Sequence, residues 1–478
     1  MLTFELVDLP IVHQSVPPSV ALAVEHADDL NASLNGLKYF LRGYQYRLLK
    51  GDDGMKYSTA LRDEVRSRIE LVERADLVVG IPCYNNQATI GHVVKQVSQG
   101  LHQYYRDRKC VIVVSDGGSV DDSREEARAV EVSPFQEIIV TIYRGVPGKG
   151  SALRAVLELA RFLKAEACVV VDSDLRSISA QWIRNLLSPI LYNDYQFVAP
   201  HYRRFKLDGT ITNNIVYNMT RALYGKKVRQ PIGGDFAFSR DVVSEIYDQD
   251  VWDTEVGRFG IDIWLTTMAI VKGFKICQTR LGAKIHDVKD PGASLGPMFR
   301  QVVSTLFSLT EEYRNYWWDI QGSDEVPVVG DEIETEPESF PINIETLVES
   351  FRNGYRQFGA LWKNILSEES WQEVQELAEK SDGFQMDDHK WAHILYDAAS
   401  TYHCWPMNRF KLVELLTPLY YARVASFAKI VENMSDEDAE QVVEKQAMCF
   451  EDEKEYLLKR WRIADEMIGS GDFCGQPD

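Results

Sequence analysis

The sequence predicts an α/β fold on a mostly parallel sheet, with a helical lead before it and a helical domain after it. Three observations predict this. From Asp76 onward, short and nearly continuous apolar runs alternate with amphipathic stretches, the pattern of strands covered by helices on both faces. Pro82, Asp116 and Asp172 fall at the ends of these runs, where open parallel sheets bind ligands. After a Gly-, Pro- and acid-containing break at 322–338, the remaining segments have helical spacing.

Taken in order, 37–41 and 61–72 carry helical apolar spacing among charges, so residues 1–75 read as an N-terminal helical extension. The expected strands are 77–81, 111–114, 138–142 and 168–171, with helices at 89–101 and 151–163. Residues 76–320 form the expected catalytic domain and 321–340 an acidic linker or surface loop. Residues 341–478 form a helical C-terminal domain with helices at 344–366, 371–380, 388–403, 410–431 and from Asp436. The segment from Gly469 reads as a mobile tail.

Composition narrows the function. At 478 residues and 45% hydrophobic content the chain can bury a large core, and roughly 100–200 residues per domain gives two or three domains. A formal net charge of -20 argues against a nucleic-acid partner, which leaves a basic footprint. The seven cysteines are scattered, with no Cys-x-x-Cys, and read as free thiols in a reducing compartment. Residues 1–5 lack the basic and apolar regions of a leader, so a cytoplasmic location is expected. No apolar run approaches the roughly 20 residues that a membrane span needs.

The chemistry centres on Asp172-Ser173-Asp174. Alternate residues of a strand face the same side, so the two carboxylates can converge where the strand ends. Such a pair suits Mg2+ or Mn2+ held against phosphates; the competing reading is a turn with Asp174 capping the next helix. His286 could supply an imidazole ligand or be a structural histidine. Gly148-Lys149-Gly150 opens a helix, where backbone N–H groups favour anions, although an ordinary turn also fits. Pro82-Cys83-Tyr84-Asn85-Asn86 and Asp116 follow strands and could read a nucleotide, or simply close turns. In Gln230-Pro231-Ile232-Gly233-Gly234-Asp235 the glycines permit close backbone approach to a ligand. Asp235 or Asp262, the latter opening a helix in Gly260-Ile261-Asp262, could orient sugar hydroxyls or act as a base. Arg203 or Arg204, with Thr212, could clamp an acceptor anion, or form surface salt bridges. His389 and His393 lie four apart, but Lys390 stands where a zinc protease helix carries Glu.

This combination resembles the GT-A glycosyltransferases that make mannosylglycerate, glucosylglycerate or glucosyl-3-phosphoglycerate. The matching elements are Pro-x-x-Asn-Asn, Pro-Gly-Lys-Gly, Asp-Ser-Asp, His-Tyr-Arg-Arg, Gln-Pro-Ile-Gly-Gly-Asp, Gly-Ile-Asp and the late His286, within 76–313. The resemblance implies a Rossmann-like GT-A sheet and a retaining transfer. The donor would be GDP-mannose or GDP- or UDP-glucose, and the acceptor D-glycerate or 3-phosphoglycerate. It implies that Asp172, Asp174 and His286 hold the metal, and that Pro82, Tyr84, Asn86, Asp116, Lys149 and Ser173 bind the nucleotide. Gly233, Gly234, Asp235 and Asp262 would line the sugar pocket, and Arg203 or Arg204 with Thr212 would take the acceptor. Asn86 stands where the group often carries an acidic residue, and Asp235 where it commonly carries Glu, which leaves donor identity open.

Two other readings stand beside it. One is an inverting family-2-like transferase acting on a polysaccharide or glycolipid, with Asp235 as base. The other is a non-catalytic assembly module. An exposed helical extension often forms a dimer interface, so a homodimer is one expectation.

Overall fold

The computed structural model describes residues 59–286, 291–380, 382–405 and 408–470, with the backbone alone for 291–295. The expected helix at 37–41 and most of the expected tail lie outside the described residues. All described residues fall in one compact unit.

Strands β1 (Leu77–Cys83), β2 (Cys110–Asp116), β3 (Gln136–Ile142) and β4 (Ala167–Val170) pair in parallel. Their apolar residues divide by the two-residue strand period. Val78, Val111, Val113 and Val170 pack with α1 (Asp63–Val72) on one face. Leu77, Val79, Ile112, Val114 and Val169 pack with α2 (Ile90–Tyr104) on the other. Helix α3 (Ser123–Ala129) follows β2, and α4 (Lys149–Phe162) joins the first face. A Cβ at Gly80 would lie 2.3 Å from Val156 Cγ1, so β1 and α4 approach closely only because residue 80 is glycine. Helix α5 (Ala180–Tyr192) places Trp182, Ile183 and Leu186 on the second face.

The sheet continues through β5 (Phe197–Arg203), then, past α6 (Tyr217–Tyr224) and the short β6 (Lys226–Lys227), through β7 (Phe236–Ser239). After α7 (Arg240–Tyr247) and α8 (Ile261–Val271) comes β8 (Ile276–Ala283). Strand β7 runs antiparallel to both neighbours, β4 and β5, which makes the sheet mostly rather than wholly parallel. Helices α9 (Pro291–Glu312) and α10 (Arg314–Trp317) lead to β9 (Asp324–Glu325) and β10 (Val328–Val329). The full order is β10-β8-β5-β7-β4-β1-β2-β3, and β6 pairs separately with β9.

Of the two expectations for 321–340, linker or surface loop, the linker is corrected: the segment is largely an exposed loop laid against the sheet domain. Strand β10 extends the main sheet, pairing with β8, and the acids beyond it bind arginines of the sheet domain: Asp331 with Arg184, Glu332 with Arg280, Glu336 with Arg203 and Glu338 with Arg176. The boundary at 75 is corrected too, because Leu61, Val65, Ile69 and Val72 belong to the main core.

Helices α11 (Ile344–Ile365), α12 (Glu368–Glu379), α13 (Asp388–Cys404), α14 (Arg409–Val431), α15 (Asp436–Asp452) and α16 (Lys454–Ser470) form the helical C-terminal region. It is not a separate domain, since its apolar faces share a core with the sheet. Phe299 stacks on Tyr420 at 4.8 Å, and the Trp391 indole donates to Asn214 O at 2.6 Å. Among the described residues Cys83, Cys110, Cys168, Cys277 and Cys449 are buried and free.

Candidate active site

One cavity of about 980 Å³ opens at the carboxyl ends of β1 and β4. Its floor is a buried charge cluster. Lys149, at the first turn of α4, places Nζ 2.8 Å from Asp172 Oδ1 and 3.1 Å from Asp262 Oδ2. Lys284, just beyond β8, places Nζ 2.7 Å from Asp172 Oδ2 and 3.0 Å from Asp235 Oδ2, and donates to Gly233 O at 2.7 Å. Asp235 Oδ1 accepts from the Asp172 backbone N–H at 2.7 Å, and Tyr202 donates its hydroxyl to Asp235 Oδ2.

Burial by itself raises the pKa of each carboxyl. At Asp172 the two lysines outweigh burial and hold the group well below the usual range. At Asp235 and Asp262 burial prevails over the facing lysine, and both are raised. Lys149 and Lys284 are raised because their carboxylates outweigh burial. Gly234 has φ +92°, and a Cβ there would fall 2.2 Å from Asp172 Oδ2. Close backbone approach is thus required where the sequence placed paired glycines.

On the nucleotide side, the turn after β1 is stitched to the turn after β4. Ser173 donates its hydroxyl to Asn86 Oδ1 at 2.8 Å, and Thr89 donates to Ser173 O at 2.8 Å. Pro82, Tyr84 and Asn86 line the cavity with Gly117, Gly118 and Tyr143. Asp116 does not. It is buried, and its carboxylate accepts from the Gly118 and Ser119 N–H groups at 2.8 and 2.9 Å, from the Ser119 hydroxyl and from Arg124. These bonds shape the turn whose glycines face the cavity.

Asp174 and His286 both line the cavity. Their backbones are neighbours, because Leu175 bridges His286 and the Arg176 N–H donates to Ile285 O at 2.8 Å. Both Asp172 oxygens are held by lysines, and no three His, Cys, Asp or Glu side chains gather as a ligand set among the described residues. Lys149 is likewise committed to carboxylates.

Of the two acceptor arginines only Arg204 lines the cavity. Arg203 is exposed and pairs with Glu336 at 3.0 Å. Arg204 Nη1 lies 2.7 Å from Asp208 Oδ2. Thr210 and Thr212 also line the cavity, Thr212 opening a π-helical turn, a distortion frequent at functional sites. Asp235, expected in the sugar pocket, is wholly buried and does not line the cavity; Gly233, Gly234 and Asp262 do. Asp262 Oδ1 is buried without a hydrogen-bond partner. His389 and His393 lie elsewhere, both bonded to Glu453.

Sequence reasoning missed Lys284, Tyr202, Tyr143 and Asp208. Lys284 left a faint signal, a cation two residues before His286 at the end of an apolar strand. Asp208 and Tyr143 left none.

Residues 78–247 match the family model described as glycosyl transferase family 2. No curated protein matches the chain. Solved structures of glucosyl-3-phosphoglycerate synthase from Mycobacterium tuberculosis are similar. The complex with Mn2+, UDP and glucosyl-3-phosphoglycerate is 26% identical, covering 51% of this chain and 83% of that one, with a TM-score of 0.40. The complex with Mg2+ and UDP is 25% identical over 51% and 82%, with a TM-score of 0.40. The complex with Mn2+, UDP-glucose and glycerol 3-phosphate is 25% identical over 53% and 86%, also with a TM-score of 0.40. The described sheet, with the family match across its first half and a helical C-terminal region, agrees with the GT-A fold expected from sequence.

Proposed function

We propose that the protein is a metal-dependent, retaining glycosyltransferase that moves a hexose from a nucleotide-diphosphate sugar to glycerate or 3-phosphoglycerate. One observation carries this reading: a single cavity at the strand carboxyl ends gathers Tyr84 and Asn86, Gly233 and Gly234, Asp174 and His286, and Arg204 and Thr212. These groups come from five separate stretches of chain, and all but His286 fall within residues 78–247, the part that matches the family model.

In this reading the nucleotide lies against Pro82, Tyr84, Asn86 and the Gly117-Gly118 turn. The sugar lies against Gly233, Gly234 and Asp262, whose orphaned Oδ1 would accept from a sugar hydroxyl. Asp174 and His286 fit Mg2+ or Mn2+: an oxygen and an imidazole nitrogen on adjoining backbones, leaving room for phosphate oxygens and water. The ion, when bound, would neutralise charge on the departing diphosphate. Lys149 and Lys284 hold Asp172 and Asp262 in place.

Retention, implied by the family resemblance, is compatible with what the carboxylates are doing. Asp172 and Asp262 are each bound to buried lysine, which weakens either as a nucleophile. Attack on the same face as departure, with the leaving phosphate taking the acceptor proton, needs no enzyme nucleophile. The inverting alternative loses support because Asp235, its candidate base, lies off the cavity wall. No helix among the described residues is long and apolar enough to cross a membrane, as many polysaccharide synthases would require. The test is turnover of nucleotide sugars with glycerate and its 3-phosphate, with the product anomer read by NMR. An α-linked product that forms only with added divalent metal is expected; a β-linked one, or none from any donor, overturns the reading.

A further inference from the structure

The cavity wall carries more negative than positive charge. Among the described lining residues, Asp172, Asp174, Asp208, Asp262 and Glu338 face Lys149, Arg204 and Lys284, a formal excess of two negative charges, or of one once Arg176, which pairs with Glu338, is included. Each of these three cations already has a carboxylate within 2.8 Å. A divalent ion would offset the excess and a donor diphosphate would restore it. Little positive potential remains for a highly charged acceptor.

The acceptor side sharpens this. Arg204, its cation, is held by Asp208, four residues along the same loop, at 2.7 Å, and both side chains are largely buried. Asp208 Oδ1 also accepts from the Gly209 N–H at 2.8 Å, so the carboxylate is fastened from two directions. Ile211, Met298, Val302 and Phe340 add apolar wall, and Thr210 and Thr212 add hydroxyls. Hydroxyls and one half-neutralised guanidinium suit a carboxylate monoanion or a neutral polyol. A phosphomonoester, near two negative charges at neutral pH, needs cations free to meet it.

We propose that Asp208 is a specificity-determining residue: by occupying Arg204 it selects an unphosphorylated, hydroxyl-bearing acceptor such as glycerate over its 3-phosphate. This rests on the function proposed above and settles which of its two acceptors is used. Replacing Asp208 by Asn keeps the shape and removes one negative charge. The variant then binds the phosphorylated acceptor better while gaining little for glycerate.

The experiment measures melting temperature and turnover for the full chain and Asp208→Asn, with Mg2+, a nucleotide sugar, and either glycerate or 3-phosphoglycerate. The natural protein is expected to prefer glycerate, and Asp208→Asn to shift the ratio toward the phosphate by about ten-fold or more, the scale of one partly solvated unit charge. If Asp208→Asn misfolds, Asp208→Ser serves, and the preference of the natural protein decides alone if both do. A natural protein that prefers 3-phosphoglycerate, an unchanged ratio in a folded variant, or no binding of either ligand overturns the proposal. Should the binding preference appear without transfer to either compound, the acceptor proposal stands and the transferase reading falls.

Discussion

Lys284 Nζ lies 2.7 Å from Asp172 Oδ2, on the wall of the cavity. The contact joins the loop after β8 to the end of β4, 112 residues earlier in the chain. With Lys149 it makes Asp172 a fastener of two buried cations.

Lys284→Met should therefore unfold more easily as well as lose activity. Removing one partner leaves Asp172 and Asp235 under-compensated in a buried site, a loss of about 3–5 kcal/mol when a buried pair is broken. Urea denaturation checks this. A change within the scatter of surface substitutions would mean the cluster is solvated and the ion pairs matter little.

The acid limb of the stability curve should depend on Asp172. Its pKa is depressed in the folded state, so its stabilisation is complete above the unfolded value of about 3.9 and is lost as pH falls through the folded value. Asp235 and Asp262 are raised, and their contributions have the opposite sign. Asp172→Asn should be less stable than the natural protein near neutrality, with the gap closing in acid. Denaturant unfolding at several pH values measures the gap, and a constant gap would contradict the assignment.

Much of this was legible in the sequence, and the reasons differ by residue. The strands from Leu77 and Cys110 announce themselves by unbroken apolar runs, because both faces are buried. Pro82, Asn86, Asp174, Gly234 and His286 sit where strand ends deliver them, so motif and place agree. Arg203 and Arg204 are adjacent, and sequence offers no means of choosing between them; a strand points them apart, one to Glu336 and one into the cavity. The acids at 331–338 look like a solvated linker, since composition is blind to the arginines at 176, 184, 203 and 280 that they meet. Asp116 has the right position and the wrong neighbours, for the N–H groups after it consume its carboxylate.

Asp174→Ala and His286→Ala should each abolish the rise in melting temperature produced by Mn2+ with a nucleoside diphosphate. A ligand at 100 times its dissociation constant stabilises by about 2.7 kcal/mol, and loss of the site removes that term. Asp172→Ala, by contrast, should keep a metal-dependent rise on a lower baseline. Loss of the rise in Asp172→Ala alone would restore that residue as the ligand.

Gly234→Ala should be nearly inactive. The added methyl meets Asp172 Oδ2 at 2.2 Å and Lys284 Nζ at 3.0 Å, and φ +92° is unfavourable for any L side chain. Strain of this kind costs about 1–3 kcal/mol. Because the clash falls on the charge cluster, kcat should drop further than stability alone explains. Gly273→Ala is the control, since its φ of +73° is also positive, nothing lies within 4 Å of an added Cβ, and it does not line the cavity. Comparable activity in the two variants would argue that backbone strain, not the cluster, sets the effect.

The helical layer should tune the acceptor site through Tyr420. Its hydroxyl and that of Thr210 are 2.5 Å apart, and Thr210 lines the cavity in the loop that carries Arg204 and Asp208. The same loop is held at Lys206, whose Nζ donates to Glu432 O at 2.8 Å and Met434 O at 2.7 Å at the end of α14. Tyr420 is buried and stacked on Phe299, so Tyr420→Phe keeps the ring packing and deletes one hydrogen bond. The stability cost should be modest, about 1 kcal/mol with some penalty for the Thr210 hydroxyl left behind. The kinetic effect should be selective. KM for the acceptor should rise several-fold while KM for the nucleotide sugar stays put, because the bonds made by α14 and its end fall on the acceptor loop, at Thr210 and Lys206. Steady-state kinetics with each substrate varied in turn separates the two, and an equal rise in both would mean that α14 supports the sheet as a whole.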